Sequence, residues 1–331
     1  MPGTNNTAGA AAGAGSTTAT RRVRPPPVRH TVTKPAQHPA HTRSRPPTAA
    51  LSGSSSTTPS WQDDPAMTTT RFDEDIRTEP LGAGRHRVEI RERWNVVAGP
   101  NGGYVAALVA NAMTAELAQP ERQLRSITVH FLERPRFAPA EVTVEILRRG
   151  RSLSSLAAHL RQDDRVVASA LAAFSVPWTS PITWERELPG HAHDDPPVGT
   201  SRRISPTHLD NFDVDLRLPA PMFSGHTEAR VGGWIRTADP RPVDPVALVA
   251  FSDALPPAPF TRMTGPMAVP TVDLTVHIRA SLPHPGLDPA DHVYADFVTH
   301  HAADGFHAED GVIWAPDGTV LAESRQLAIT R

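Results

Sequence analysis

The chain has 331 residues, room for two medium domains, and no cysteine, which excludes disulfides, thiolate nucleophiles, iron–sulfur clusters and cysteine-ligated zinc. Its net charge of −2 averages two unlike segments: residues 1–62 carry Arg21, Arg22, Arg24, Arg29, Lys34, Arg43 and Arg45 without any Asp or Glu and stand at +7, while the remainder stands at −9. So acidic a remainder gives no electrostatic basis for nucleic-acid binding, and with Lys34 the only lysine there is none further on for Schiff-base or phosphate-loop chemistry.

The longest apolar stretch, Gly102 to Ala110, stops at Asn111 and is far too short to span a bilayer; a soluble, cytoplasmic protein without membrane partners is expected. Residues 1–66 are rich in Ala, Thr, Ser, Pro and Arg without a period, cannot bury enough surface to offset their ordering entropy, and are expected to form a disordered tail. Arg21-Arg22 suggests a twin-arginine signal, but Pro25-Pro26-Pro27 stands where its apolar core should be. The composition also resembles an organellar transit peptide. The plainer reading is a miscalled extension ahead of a true start at Met67. Three further segments are expected: a first repeat over 67–178, a linker over 179–204 marked by Pro181, Pro189, Pro196 and Pro197, and a second repeat over 205–331.

In chain order, Asn101-Gly102-Gly103 opens a helix with Val105, Leu108, Val109, Ala112 and Met113 at helical spacing. Strands follow over 127–132, 142–147, 154–160 and 166–174, with turns at Gly150 and Asp163-Asp164. A second helix has Asp244 as N-cap and Pro245 at its first position, and Pro256-Pro257 ends it. Strands then run over 272–278, 293–299, 306–315 and 320–329, with a turn at Asp317-Gly318.

These halves repeat one pattern. Ala107-Leu108-Val109-Ala110 recurs as Ala247-Leu248-Val249-Ala250, Thr128-Val129-His130-Phe131 as Thr275-Val276-His277-Ile278, and Val166-Val167-Ala168 as Val320-Leu321-Ala322. A helix laid across an antiparallel sheet, twice over, is an α+β architecture. Superposing the copies sets Asp253 opposite Met113, Thr271 opposite Leu124 and Gln326 opposite Ala172: three apolar positions of the first copy are hydrogen-bonding in the second. Asp253 shares a helical face with Val246 and Val249, where a carboxylate is costly unless partners satisfy it; Thr271 and Gln326 are candidates. A buried polar network without catalytic purpose, or a helix end at which Asp253 reaches solvent, accounts for the same pattern.

From about Arg71 onward the chain resembles type II acyl-CoA thioesterases, the TesB-like double hotdog enzymes. The matching features are Asn101-Gly102-Gly103, Leu147-Arg148-Arg149-Gly150-Arg151-Ser152, Gly233-Trp234-Ile235-Arg236, Ser252-Asp253, Thr271-Val272-Asp273 and Gln326. The resemblance implies a double hotdog fold, hydrolysis of acyl-CoA to a free fatty acid and CoA, no cofactor, and association into homo-oligomers. It also implies that Asp253, Thr271 and Gln326 hold and activate the attacking water. Asp253 would accept the water's proton, and backbone amides of Gly102 and Gly103 would serve the developing oxyanion, though the glycines also suit close packing alone. The Pro-rich segment Pro256-Pro257-Ala258-Pro259 departs from the family pattern just after Asp253. The alternatives are a catalytically silent acyl-CoA or lipid-binding double hotdog protein, and a hydratase, for which no suitable His–Asp pair is present.

Other motifs carry less. His191-Ala192-His193-Asp194-Asp195 lacks a third nearby histidine and sits in the expected linker, and His300-His301 with His307 point to opposite faces of an extended segment, so no metal site is expected. Gly150-Arg151-Ser152-Leu153-Ser154 lacks the closing glycine of a nucleophile elbow; its arginines ring a turn or meet a CoA phosphate. His130 and His277 are twin structural positions.

Overall fold

A computed structural model describes residues 69–97, 99–194 and 207–330; the expected tail over 1–66 and the end of the expected linker lie outside the described residues. After a short helix α1 (Arg71–Asp75) and an edge hairpin of β1 (Glu79–Gly82) and β2 (Arg85–Glu89), the first long helix, α2, spans Gly102–Leu117. Asn101 starts it, its side-chain oxygen accepting from the Tyr104 amide at 2.9 Å, and Ala118 ends it in the left-handed region at φ 51°. Eleven of the sixteen residues of α2 are buried, including all of 103–110, while Thr114 and Ala115 in its last turns are exposed.

The strands β3 (Gln123–Phe131), β4 (Pro139–Arg149), β5 (Leu153–Gln162) and β6 (Arg165–Ser175) complete the first copy. The second contains β7 (Phe212–Arg217), β8 (Arg230–Thr237), helix α4 (Pro245–Phe251), β9 (Thr271–Ile278), β10 (Val293–Ala303), β11 (Phe306–Trp314) and β12 (Val320–Ile329); α3 (His191–Asp194) lies between the copies. All twelve described strands form one antiparallel sheet in the order β1-β2-β4-β5-β6-β3-β9-β12-β11-β10-β8-β7. Read outward from its centre, each half repeats the same succession. At the seam Thr128 pairs with Thr275, hydroxyls 2.9 Å apart. These are the twin residues of the Thr-Val-His match, so a pseudo-twofold axis passes between them. The architecture is the expected α+β double hotdog.

Two differences from the sequence expectation have clear causes. α4 is seven residues long against sixteen for α2. It stops at Phe251, and Asp253 and Ala254 continue in a tighter turn, donating their amides to Ala250 and Phe251 three residues back. Pro256 and Pro257 cannot continue a helix, and Pro256 disfavours helical backbone at Leu255. Asp253 therefore stands just beyond the helix rather than on its Val246–Val249 stripe. The described part of the expected linker is also not a free loop. It crosses the outer face of the second half, where Trp314 donates its indole N–H to the Arg186 carbonyl at 2.9 Å and Trp234 donates to Ala192 at 3.0 Å. His191 of the candidate metal string meets the buried Asp296 at 3.2 Å. Buried indoles need acceptors, and this strap supplies them.

Candidate active site

The N-terminus of α2 meets the turn after α4, two copies joined at one point. The Gly103 amide donates to Asp253 Oδ2 at 2.9 Å, and Asn101 Nδ2 donates to the Asp253 carbonyl at 2.6 Å and to Oδ2 at 3.2 Å. The approach requires glycine: a Cβ on Gly103 would stand 2.6 Å from the Ala250 carbonyl oxygen, and one on Gly102 would stand 2.9 Å from Asp253 Oδ2. Gly103→Ala is therefore expected to cost about 1–3 kcal/mol by overpacking and to lower the melting temperature by several degrees. A thermal melt checks this; an unchanged midpoint would contradict the close contact.

The structure sets the Gly103 amide, expected to serve an oxyanion, on a carboxylate. A helix start collects the nearest anion on its unpaired amides, and here that anion is the carboxylate of the other copy. Gly103 is occupied by Asp253, and the Gly102 amide also faces it. Both amides thus face the candidate base.

Strands bring the other two residues in. Thr271 Oγ1 donates to Gln326 Oε1 at 3.0 Å, and the Gln326 amide also faces Asp253. Alternation along β9 alone would turn Thr271 away from the inner face. A bulge corrects this: Leu327 pairs with Asp273 but Ala328 with Thr271, so Val272 is the extra residue and Thr271 swings inward. The first copy has the same bulge at Arg125, between Leu124 and Ser126. Asp253 and Thr271 are partly exposed, while Gln326 is buried.

A fourth member went unread in the sequence. Glu309 on β11 lies directly across the ladder from Gln326 and is only 4% exposed. Its Oε1 accepts from Gln326 Nε2 at 2.7 Å and its Oε2 from the Ala258 amide at 2.6 Å. The repeat held the signal: Ala172, the twin of Gln326, pairs with Leu156, so Glu309 stands opposite a wholly buried leucine. Asp253, Thr271, Gln326 and Glu309 thus correspond to Met113, Leu124, Ala172 and Leu156, all buried. One copy carries the polar cluster; the other fills the equivalent place with apolar side chains.

Desolvation dominates the electrostatics. It raises the Asp253 carboxyl from 3.8 to about 6, against the lowering pull of the Gly103 amide, Gln326 and the Gly102 amide. It raises Glu309 to about 7, with the Ala258 amide and Gln326 opposing and Asp253 and Asp310 adding to the rise. A carboxyl near 6 beside a helix start is suited to taking a proton at neutral pH.

The remaining candidates lie elsewhere. Arg149 donates to the Leu117 carbonyl, while Arg122 pins the hairpin by donating to Ser154, Gly150 and Arg151. His130, His277, His300 and His301 are exposed, and His307 meets Thr330 Oγ1 at 2.8 Å. Two open clefts, one lined by Arg71, Arg93 and Asp210 and the other by Asp215, Trp234 and His292, contain none of the four clustered residues. Among the described residues no helix is long and apolar enough to cross a membrane.

Known proteins agree with this architecture. An uncharacterized protein of Mycobacterium tuberculosis is 25% identical over 280 residues, 73% of this chain and 89% of its own length. A hot dog fold protein of unknown function from Alicyclobacillus acidocaldarius superposes with a TM-score of 0.67 at 24% identity, over 80% of this chain and 99% of its own. The acyl-CoA thioesterase II TesB2 of Mycobacterium marinum superposes with a TM-score of 0.63 at 22% identity, over 79% of this chain and 97% of its own. At these identities the structures speak for the fold. Residues 90–175 match the profile of the acyl-CoA thioesterase N-terminal domain and residues 185–330 that of its C-terminal domain. The chain belongs to the acyl-CoA thioesterase family.

Proposed function

We propose that this protein hydrolyses acyl-CoA to a free carboxylic acid and CoA, with Asp253 as general base, and that it does so in the cytoplasm as a homo-oligomer. The observation that carries the reading is the raised, partly exposed Asp253 carboxylate, pinned through Oδ2 by Gly103 and Asn101 and flanked by Thr271 and Gln326. With Oδ2 engaged, Oδ1 accepts a proton of the water. The Thr271 hydroxyl gives its own hydrogen to Gln326, so its oxygen is an acceptor for the water's second hydrogen.

A water with both hydrogens accepted presents a lone pair to the thioester carbonyl, a near-attack arrangement. The oxygen–carbon bond forms as a proton passes to Asp253. The tetrahedral intermediate collapses with cleavage of the carbon–sulfur bond, and the departing CoA sulfur takes that proton. Thiol release from a panel of acyl-CoA esters tests the reading. Turnover is expected to fall as pH drops below about 6–7, because protonated carboxyls cannot accept. Binding of acyl-CoA without thiol release would instead identify a silent binder.

A further inference from the structure

We infer that Glu309 is a positioning residue that sets the donor–acceptor direction of the hydrogen-bond chain running through Gln326 and Thr271 to the reacting water. The inference rests on the hydrolytic reading and adds a fourth residue to it. An amide side chain can present oxygen or nitrogen to either neighbour, and its partners must decide. At Gln326 the partner met at 2.7 Å is Glu309, and the facing Asp253 carboxyl calls for the same end of the amide.

The argument starts at the backbone. The Ala258 N–H is a donor that cannot turn round, and it donates to Glu309 Oε2 at 2.6 Å. The other carboxylate oxygen, Oε1, faces Gln326 at 2.7 Å and, being an acceptor, requires nitrogen there. Gln326 must therefore turn its oxygen toward Thr271, which then donates its only hydrogen at 3.0 Å. Thr271 is left as an acceptor. Each link removes one choice, until the water can only donate.

Replacing Glu309 by Gln keeps the shape and reverses the chain. The new side chain must give its oxygen to the Ala258 amide, so its nitrogen faces Gln326. Gln326 then turns its own oxygen to that nitrogen, losing its donation to Asp253, and offers an N–H to Thr271. Thr271 becomes the acceptor of that bond, and its hydroxyl hydrogen turns toward the water. The water now receives a hydrogen on the lone pair that should attack. Protonating Glu309 weakens the same constraint. The ionisable groups bearing on Glu309 are Asp253 beyond α4, Asp310 next along β11, and His307 two residues back on the same face, which burial holds toward its neutral form. The two acidic neighbours both hold Glu309 high.

The test compares wild type and Glu309→Gln in thiol-release kinetics from pH 5 to 9, with melting temperature as the control for folding. The expected result is a loss in kcat of about 10²-fold, as for a reacting water misplaced by an ångström, with KM little changed. The acid limb of the residual activity should move from about 7 toward about 6, because only Asp253 remains to be deprotonated. A purely structural glutamate would lower activity without moving that limb. A kcat within twofold of wild type, or an unmoved limb, would overturn the inference.

A second measurement needs neither turnover nor the variant. In 15N-glutamine-labelled wild-type protein, the Gln326 side-chain amide signals should shift with a midpoint near 7. Signals indifferent to pH from 5 to 8 would overturn the inference as well. If the wild type releases no thiol from any acyl-CoA, the hydrolytic reading fails by itself, and these signals still decide whether Glu309 governs the amide.

Discussion

Replacing Asp253 by Asn is expected to lower kcat with acyl-CoA about 10³-fold, within the range that a positioned general base contributes. The geometry makes the substitution clean. Gly103 and Asn101 both donate to Oδ2, so the asparagine oxygen can keep those two bonds. The amide nitrogen then takes the place of Oδ1, where it cannot accept a proton. Because the acyl chain and CoA contribute most of the binding surface, KM should change little, and a large rise in KM would argue that Asp253 binds substrate rather than activating water.

Stability should move the other way. The folded state holds the Asp253 proton more tightly than the unfolded chain, with a carboxyl raised from 3.8 to about 6. The native state thus binds more protons between these values, and the stability contributed by Asp253 declines as pH rises through that window. Asparagine has no such titration. The variant's melting temperature should gain on wild type between about pH 4 and 7 and remain ahead above it. Loss of turnover with a gain in thermal midpoint would mark a site whose desolvated charge serves chemistry at the expense of the fold.

Gln326→Leu is expected to do comparable harm to activity for a different reason. Gln326 serves three partners at once: it accepts from Thr271, donates to Glu309 and faces Asp253. Leucine leaves the Thr271 hydroxyl without its acceptor and removes a donor from each of two carboxyls. A loss of about 10²-fold in kcat is expected. Both carboxyls should rise, so the acid limb of the rate profile should move up, opposite to the shift expected for Glu309→Gln. The buried Glu309 loses a hydrogen bond worth about 1–3 kcal/mol when unmade, which should appear as a lowered melting temperature at pH 8. The loss should shrink at pH 5, where Glu309 is protonated. A variant as stable as wild type at both pH values would show that Glu309 does not depend on Gln326.

Much of the site was legible because duplication supplies an internal reference. Met113, Leu124 and Ala172 state what each position is when it serves only packing, and the polar residues opposite them depart from it. The comparison picks out even Thr271, whose inward direction depends on a bulge that simple alternation misses, because both copies carry that bulge. Glu309 was missed because the three short matches anchor only a helix and two strands, leaving β5 and β11 unaligned. Pairing across the ladder restores the comparison with Leu156.

Other features depend on contacts between the copies that neither copy records. Nothing local tells Gly103 that a carboxylate from 150 residues away will take its amide. Nor do Trp234 and Trp314 reveal that carbonyls of the connecting segment will accept their indole N–H groups. The edge strands β1 and β7, and β2 beside β1, were not read either. They are short and rich in charge, as in Arg85-His86-Arg87 of β2 and Asp213-Val214-Asp215 of β7, which conceals strand character and, on the edge strand β7, protects the sheet edge.

The central claim is that water, activated by Asp253, attacks the thioester directly. A single turnover in 18O-labelled water, with enzyme in excess over acyl-CoA, tests it. Direct attack predicts one 18O atom in the released carboxylic acid and none in the Asp253 peptide. Unlabelled acid, or label retained in the Asp253 carboxyl, would show that the aspartate itself attacks as a nucleophile and would contradict the account.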